Sequence, residues 1–432
     1  MRGALLFLAM GAALVAVGFL QSWPVALSIL NLCLVSAVRA LGVNMQWGYA
    51  GLFNVGIMGF AALGGLAVII TSMPPVAEAW AAGGAQIGLA GLAVALTAGV
   101  IVAIRRRMAR GRLRALAVGV AALVGYVAAR AFYDPGSAAV EAVDPALLGY
   151  LGGLGLPVVL SLVTAALLAA GAAWVVGRVS LGLRADYLAI ATLGISEIIL
   201  AVIKNEDWLT RGVKNVTGLP RPVPYEIDLQ AAPWFVERAA SLGLDPVEAS
   251  TLTVRLAYAC LFLAVLVALL WLAERALASP WGRMMRAIRD NETAAAAMGK
   301  DVDGRRLEVF VLGSAVVGIA GAMLTMLDGQ FTPGSYNPLR FTFLIWVMVI
   351  VGGSGNNWGA VLGGFLVWFV WVEAEPAGRW LVETATTGLG EGHWLATHLA
   401  EVAPHMRMVL MGAILLLVLR FSPRGLIPER RG

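Results

Sequence analysis

One carboxylate stands alone inside an apolar run of the sequence. Glu197, with Ser196 before it, lies in LAIATLGISEIIL, in which no other residue carries a charge. An ionisable side chain at membrane depth is costly and by default marks a functional site, such as a transport pathway. The other interpretation is a protonated or hydrogen-bonded glutamate that holds helices together. The sequence leaves both interpretations open.

Asparagines occur in two glycine-rich segments, one in each half of the chain. Asn54 lies in GYAGLFNVGIMGFAALGG, and Asn356 and Asn357 lie in GGSGNNWGAVLGG. Glycine at this density permits close helix contact or an unwound segment, which is tolerated only where protein or a water-filled cavity covers it. The placement suggests an inverted repeat with a pathway at its interface. Alternatively, the glycines pack helices and the asparagines satisfy local backbone groups.

For Asn356 and Asn357 the sequence favours a cytoplasmic turn. For Asn54 the two interpretations are equally open. The candidate pathway residues are therefore Asn54, Ser196, Glu197, Asn356 and Asn357.

The sequence contains no motif for catalysis or for cofactor binding. GKD at 299–301 lacks the upstream glycine and the hydroxyl residue of a phosphate-binding loop. No Ser/His/Asp or paired-carboxylate arrangement stands out. The spacing of His393 and His398 does not place them on one helical face, and Cys33 and Cys260 both lie in apolar runs. We predict no catalytic residue, no metal and no cofactor, so that any ATP is bound by another subunit.

The composition predicts a membrane protein with many spans. Of 432 residues 60% are hydrophobic and 13% are charged, with a mean hydropathy of +0.83, whereas soluble proteins carry about 25% charge. A spanning helix needs about 20 mostly apolar residues. Such runs cover 4–20, 25–41, 48–72, 85–104, 113–132, 154–176, 185–203, 252–274, 306–328 and 405–421. The first run resembles a signal peptide without a cleavage site, and we expect it to be a retained span.

The stretch 341–373 is too long for one helix, and GGSGNNWG breaks it near its middle. We therefore predict an all-α, polytopic integral membrane protein with one transmembrane domain, 1–432. About 10–12 transmembrane helices are expected, including a broken or re-entrant helix pair that meets at Gly352 to Asn357.

Lysine and arginine predict the orientation, since they are in excess in cytoplasmic loops. Arginines crowd the loop at 105–114, the segment 279–305 and the C-terminal tail, while the alternate loops are acidic. The N- and C-termini are then cytoplasmic. Arg39 lies close enough to a cytoplasmic helix end to snorkel, so we assign it no special role.

Two acidic loops are predicted to be external. The loop at 204–251 is too long for a turn and suits a small ordered cap with one short helix around 230–241. The other external loop covers 374–404.

The most polar passage between two apolar runs is SPWGRMMRAIRDNETAAAAMGKD. Its serine and proline form a good helix start, with a hydroxyl cap. Apolar residues then recur at helical spacing, and arginines take the other face. Asp290 or Asn291 can cap a second short turn, which Gly299 would end. This amphipathic cytoplasmic helix pair either lies at the membrane interface or docks another protein.

Five blocks of the sequence occur in an order that resembles one protein family. They are GYAGLFNVGIMGFAALGG; LGLRADYLAIATLGISEII; WGRMMRAIRDNETAAAAMGKDV with VLGSAVVGIAGAM; VGGSGNNWGAVLGG; and LRFSPRGLIP. Over about 25–72 and 154–428 the chain resembles the integral-membrane permeases of branched-chain amino acid ABC importers, specifically the LivM-like member of the permease pair. The resemblance implies a multi-pass subunit of the bacterial inner (cytoplasmic) membrane.

Several partners follow from this resemblance. They are a paralogous permease subunit, two cytoplasmic ABC ATPase subunits that bind the ATP, a periplasmic substrate-binding protein and the lipid bilayer, with no nucleic acid. The segment 279–305 is then the coupling loop that docks on an ATPase, and its candidate residues are Arg283, Arg286, Ile288, Arg289, Asp290, Asn291, Glu292, Met298 and Gly299.

The chain departs from the family pattern in two places. The coupling loop differs from the E-A-A-x-x-x-G pattern of other importers, because seven positions separate Glu292 from Gly299. The segment 75–150 resembles an inserted helix pair joined by the arginine-rich loop, for which peripheral packing or lipid contact is expected.

The expected function is a non-enzymatic permease subunit that forms half of the pathway for branched-chain, hydrophobic amino acids. A pathway for neutral zwitterions needs few charges, as observed here. The alternatives are a permease for urea, short amides or other amino acids, and a secondary transporter or channel that works without an ATPase. For the latter we would expect more intramembrane carboxylates than Glu197.

Overall fold

The computed structural model describes residues 2–145, 148–386, 401 and 405–429 of the chain. Its first helices are α1 (Arg2–Leu20), α2 (Trp23–Asn44), α3 (Ile57–Ser72), α4 (Ala77–Ala79), α5 (Ala85–Arg107), α6 (Arg112–Glu141), α7 (Ser161–Ser180), α8 (Ala185–Asn205) and α9 (Asp207–Thr210). They are followed by α10 (Glu226–Ala231), α11 (Pro233–Ser241), α12 (Pro246–Ala278), α13 (Pro280–Asp290), α14 (Glu292–Ala297), α15 (Val302–Asp328), α16 (Pro338–Gly352), α17 (Asn357–Thr386) and α18 (Met406–Phe421).

The prediction of an all-α, polytopic membrane protein is confirmed. Among the described residues, nine helices are long and apolar enough to cross a membrane, and α3 and α16 are shorter apolar helices. Helix α18, with 16 residues, follows the predicted run at 405–421. The strands β1 (Val216–Thr217) and β2 (Gln330–Phe331) form one short antiparallel pair.

Three helices, α2, α3 and α15, form the centre of the molecule. Glycines bring their backbones together: a Cβ atom on Gly64 would lie 1.8 Å from the carbonyl oxygen of Gly318, and one on Gly321 would lie 1.9 Å from that of Ala61. Between α2 and α15, a Cβ atom on Gly42 would lie 2.8 Å from the Gly313 oxygen. Lipid provides no hydrophobic drive for association, so close backbone approach through small residues supplies the packing.

Arg39, on α2, does not snorkel, and this prediction is wrong. Only 3% of the residue is exposed. Helices α15, α16 and α17 pack around this part of α2, so the side chain has no route to the cytoplasmic surface.

The predicted run at 48–72 is interrupted. Helix α2 continues into a π-helical turn, Met45–Tyr49, and residues 51–56 are not helical before α3 begins at Ile57. Gly51 lies in the left-handed region, with φ +66°, where a side chain would be strained. The glycine-rich segment therefore contains a true break of the helix, which we call the first break.

A second break separates α16 from α17. Gly353 and Gly355 have positive φ angles, and the carboxyl-terminal tail packs on this turn, since Leu426 and Ile427 donate backbone hydrogen bonds to Val351 and Gly352. The turn and the tail thus lie on one side of the molecule. The pair α16 and α17 enters and returns on the same side, as the charge pattern requires.

Helices α5 and α6 form a hairpin that stands apart from the rest of the molecule. Ala90 is the only buried residue described in α5, and Gly136 and Val140 are those of α6. The hairpin is attached near one end, where Tyr133 and Trp208 hydrogen-bond to one another at 2.9 Å and both bond to Glu206. Its apolar sides are left for lipid contact.

Short elements cover the end of the bundle opposite the tail. The loop at 204–251 contains α9, α10 and α11, and α11 corresponds to the helix expected around 230–241. Strand β1 of this loop pairs with β2 after α15. Helix α17 extends to Thr386, further than the loop boundary expected at 374, and the remainder of the loop, with His393 and His398, lies outside the described residues.

We expect Gly64→Ala to weaken the bundle, because the new methyl group would overlap the backbone of Gly318. Overpacking of this kind costs roughly 1–3 kcal/mol, and thermal unfolding of the detergent-solubilised protein should occur at a correspondingly lower temperature. The matched control is Gly119→Ala on α6, where no atom outside the adjoining helix backbone lies within 4 Å of the added carbon. An unfolding temperature equal to that of the control would contradict the close approach of α3 and α15.

Candidate functional site

The first break is held together by amide side chains. The Asn54 Nδ2 atom donates to Gln46 Oε1 at 2.9 Å, and Asn54 Oδ1 accepts from the Gly56 N–H at 2.8 Å. The Trp346 indole N–H donates to the Asn54 carbonyl oxygen at 3.2 Å. Asn54 is 1% exposed. These contacts favour the interpretation in which Asn54 satisfies local backbone, and a role in the pathway stays a prediction.

Gln46 ties the break to α15, and sequence reasoning missed it. Its Nε2 atom donates to the Phe310 carbonyl oxygen at 2.9 Å and to Ser314 Oγ at 3.0 Å. The sequence does show Gln46 as a second amide residue, eight positions before Asn54 and at the end of an apolar run. A buried amide of this kind has to find partners for both its donor and its acceptor atoms.

Helix α8 supplies acceptors for the start of α3. The Val55 N–H donates to Thr192 Oγ1 at 3.0 Å, and the Gly59 N–H donates to Ser196 Oγ at 2.8 Å. The first N–H groups of any helix lack intrahelical partners. The candidate residue Ser196 is therefore placed where it joins α8 to the first break, and Thr192 was missed as its companion.

Glu197 lies on the opposite side of α8, on an open face. Tyr187, Ile190 and Ile198 on this face are 62–70% exposed, and nothing lies within 4 Å of a Cβ atom placed on Gly194. Glu197 is exposed as well, and no residue of the described ranges hydrogen-bonds or ion-pairs with it. The described residues thus include no partner through which Glu197 could hold two helices together. A carboxylate on an open membrane face needs water or another polypeptide beside it.

A polar cluster connects the two breaks. Asn357 Oδ1 accepts from Asn44 Nδ2 at 3.0 Å and from the Tyr49 hydroxyl at 2.5 Å, and Asn357 Nδ2 donates to Glu274 Oε1 at 3.0 Å. Asn44 Oδ1 accepts from the Gly355 N–H at 2.8 Å. Asn44 precedes the first break and Asn357 follows the second. The structure therefore brings together segments that lie about 300 positions apart in the sequence.

Asn356 binds the carboxyl-terminal tail. Its Nδ2 atom donates to the Pro428 carbonyl oxygen at 3.1 Å, and its Oδ1 atom accepts from the Gly359 N–H at 3.2 Å. Asn356 and Asn357 lie at the turn that the sequence favours, and whether either contacts a transported molecule stays a prediction.

Helix α13 is anchored to the same region through Arg289. The guanidinium donates from Nη1 to the Gly48 carbonyl oxygen and lies 3.0 Å from Glu429 Oε2 through Nη2. Met285 and Ile288 are buried beneath the helix. Arg286 lines a cavity of about 780 Å³ between α13, the second break and the tail. Arg286 and Arg289 thus face inward, whereas Arg283 is exposed.

Helix α14 projects outward. Asn291 Oδ1 accepts from the Ala294 N–H at 2.9 Å and caps the helix, Glu292 pairs with Arg306 at 2.8 Å, and Gly299 ends the segment with φ +74°. Met298 is 79% exposed. The predicted hydroxyl cap of α13 is not formed, because Ser279 Oγ donates back to the Ala276 carbonyl oxygen instead.

The outer surface of α13 and α14 is small and combines alanines and Met298 with charged and polar residues. Its exposed members include Arg283, Ala287, Asp290, Asn291, Glu292, Thr293, Ala294, Ala296, Ala297 and Met298. We call this set the outer coupling surface. Ile288 and Arg289 face inward and hold α13 against the bundle beneath this surface.

The sequence of this chain is similar to known transport proteins. The family model described as "Branched-chain amino acid transport system / permease component" matches residues 109–419. The "Probable branched-chain amino acid transport permease protein LivM" of Methanocaldococcus jannaschii is 29% identical over 273 residues, which cover 62% of this chain and 69% of that protein. The "High-affinity branched-chain amino acid transport system permease protein LivM" of Escherichia coli is 26% identical over 321 residues, which cover 73% and 68%.

A shorter similarity reaches a second kind of permease. The "Probable branched-chain amino acid transport permease protein LivH" of M. jannaschii is 31% identical over 87 residues, which cover 20% of this chain and 27% of that protein. No solved structure matches the chain. The family match spans well over half of the chain. The protein therefore belongs to the family of branched-chain amino acid transport system permease components, which are transport subunits and not enzymes.

Proposed function

We propose that this chain is one of two permease subunits of an ABC importer for branched-chain amino acids in a bacterial inner membrane. Its partners are a paralogous permease, two ATPase subunits that bind ATP and a periplasmic substrate-binding protein. The names of the similar proteins support the substrate class. The chain itself needs no cofactor in this proposal.

The observation that carries the proposal is the link from the outer coupling surface to the first break. Arg289 of α13 bonds directly to Gly48 in the first glycine-rich segment. A push or pull on α13 is thus transmitted to the backbone between α2 and α3. An ATPase docked on α13 and α14 would act on the membrane segment through this contact.

Two alternative functions follow from the same features. A permease for urea, short amides or other amino acids would have the same fold and coupling surface. A secondary transporter or channel would need no partner on α13 and α14. An exposed Met298 beside a run of alanines favours a docked protein, because an exposed apolar patch commonly marks an interaction surface.

The direct test is reconstitution of the chain with its partner subunits in liposomes. We expect leucine uptake to require ATP, the ATPases and the binding protein, and we expect leucine-loaded binding protein to stimulate ATP hydrolysis. Leucine uptake that continues without the ATPases would contradict the proposal and favour a secondary transporter.

Charged substitutions on the outer coupling surface should release the ATPases. In the double variant Ala297→Glu with Met298→Asp, both side chains remain in water before docking, so folding and membrane insertion should be unchanged. Burial of unpaired carboxylates in an interface costs several kcal/mol, which corresponds to an affinity loss of about 100-fold or more. Co-purification of the ATPases measures this effect.

Met108→Asp provides a matched control for the charged substitutions. Met108 is exposed in the arginine-rich loop between α5 and α6, away from α13 and α14. We expect it to leave ATPase binding intact. Normal ATPase association in the double variant would exclude α14 as the docking site.

Glu197 is expected to face the paralogous permease or the pathway between the two subunits. Glu197→Leu should then reduce transport by roughly tenfold, the equivalent of about 1.4 kcal/mol, without loss of the folded protein. If the carboxylate faced lipid, the same substitution would remove a cost of about 2.5–3.5 kcal/mol, and the variant would be more stable and fully active. Uptake and thermal unfolding together distinguish these outcomes, with Asp186→Asn in the exposed first turn of α8 as the control.

A further inference from the structure

Six arginines are concentrated at the free end of the hairpin formed by α5 and α6. They lie in the last turn of α5, in the four-residue turn at 108–111 and in the first turn of α6. Five are exposed and the last is partly exposed; the six are Arg105, Arg106, Arg107, Arg110, Arg112 and Arg114. We call this set the arginine cluster.

The arginine cluster lies about one membrane thickness from the attached end of the hairpin. Tyr133 of α6 bonds to Glu206 at that end, and α6 is continuous from Tyr133 back to Arg112. This length of helix is about 32 Å, while the hydrocarbon core of a bilayer is about 30 Å thick. The arginines therefore reach the depth of the lipid headgroups, at the end of the molecule that contains α13 and the tail and that we predict to be cytoplasmic.

The chain provides no counter-charge for the arginine cluster. No aspartate or glutamate occurs between Glu78 and Asp134. None of the six guanidinium groups forms an ion pair or a side-chain hydrogen bond with another described residue. At the same end of the molecule, by contrast, Arg289, Arg305 and Arg306 all pair with carboxylates. Ion pairing within the chain is thus used by other arginines at this end, and the arginine cluster lacks it.

Helix stability does not explain the arrangement either. Arg112 and Arg114 lie in the first turn of α6, which contains no acidic residue, and Gly111 before it provides no side-chain cap. A cation near the N-terminus of a helix opposes the helix dipole, and neighbouring like charges repel one another. The arginine cluster is therefore unfavourable in the isolated chain and becomes favourable when anions lie beside it.

Exposed apolar side chains alternate with the arginines. Leu113 and Leu116 are 76% and 68% exposed, and Met108 in the turn is 37% exposed. A nucleic acid would pair with the guanidinium groups and leave these apolar side chains in water. A bilayer offers phosphates to the guanidinium groups and acyl chains to the apolar side chains at adjoining depths. The combination of charge and apolar surface favours lipid as the partner.

We propose that the arginine cluster is a binding site for anionic phospholipids, whose headgroup phosphates lie between the six guanidinium groups. Arginine suits this role, because its planar fork donates two parallel hydrogen bonds to a phosphate. The chain then selects anionic lipid from a mixed membrane and keeps it at the free end of the hairpin. This inference goes beyond the importer assignment and does not depend on it.

The test is lipid selection by the purified full chain. The protein would be equilibrated in detergent with equal amounts of phosphatidylglycerol and phosphatidylcholine that carry identical acyl chains. The lipids retained after gel filtration would then be quantified by mass spectrometry. We expect phosphatidylglycerol to be enriched, and the enrichment to fall as salt is raised, since screening shortens the reach of a charge to about 3 Å at 1 M. Equal retention of the two lipids would overturn the proposal.

Arg106→Gln with Arg110→Gln should reduce this enrichment. One basic residue near an anionic surface contributes about a fivefold preference, so we expect a loss of roughly fivefold or more. The matched control is Arg178→Gln with Arg184→Gln, which removes two exposed arginines near the turn between α7 and α8, at the same end of the molecule. The control should retain the wild-type enrichment. An equal loss in both pairs would show that enrichment follows net charge alone, which would refute a local site.

Arg106→Lys with Arg110→Lys separates lipid binding from folding and membrane orientation. The lysines keep the charge that orients the hairpin, and we expect them to restore most of the enrichment. A loss as large as that of the glutamine pair would contradict an electrostatic site. Release of co-purified ATPases by the glutamine pair, with lipid enrichment unchanged, would assign the arginine cluster to a protein partner and overturn the proposal.

Discussion

The backbone of the first break must be hydrogen-bonded although it lies among apolar helices, and much of the bundle is arranged to meet this requirement. Lipid offers no donors or acceptors, so every group freed by unwinding has to find a protein partner. Asn54 accepts from the Gly56 N–H, and Thr192 and Ser196 of α8 accept from the N–H groups of Val55 and Gly59. The side chain of Gln46 joins Asn54 to α15. The break therefore fixes where α8 and α15 pack, since both must reach it.

The two breaks behave as one polar unit. Asn44 and Asn357 bond to each other across the bundle, and Arg289 adds α13 and Glu429 of the tail to the same neighbourhood. A displacement of α13 would reach this unit through the direct, partly buried contacts of Arg289 with Gly48 and Glu429. The surrounding glycine contacts keep the helices close enough for these short polar side chains to reach one another.

Much of this arrangement follows from local sequence. Apolar runs and arginine placement predicted the spans and the turn at Gly352 to Asn357, because hydropathy and charge act locally. Three features required tertiary information: the burial of Arg39, the inward direction of Arg289, and the open face around Glu197. Each depends on which distant helix packs beside the residue. Helical spacing placed the arginines of α13 on one face but could not show that Gly48 and Glu429 lie beneath that face.

The hairpin of α5 and α6 is joined to the remainder near one end and is otherwise free of it. The hairpin and the rest of the molecule are therefore only weakly connected to each other. The α2–α3–α15 centre is stabilised by contacts between backbones, while the hairpin depends on bilayer thickness and on the attraction of its six loop arginines to anionic lipid headgroups. Membrane composition can shift the tilt of the hairpin without a matching shift in the centre. Conversely, a rearrangement of the centre during transport need not displace the lipid that surrounds the hairpin.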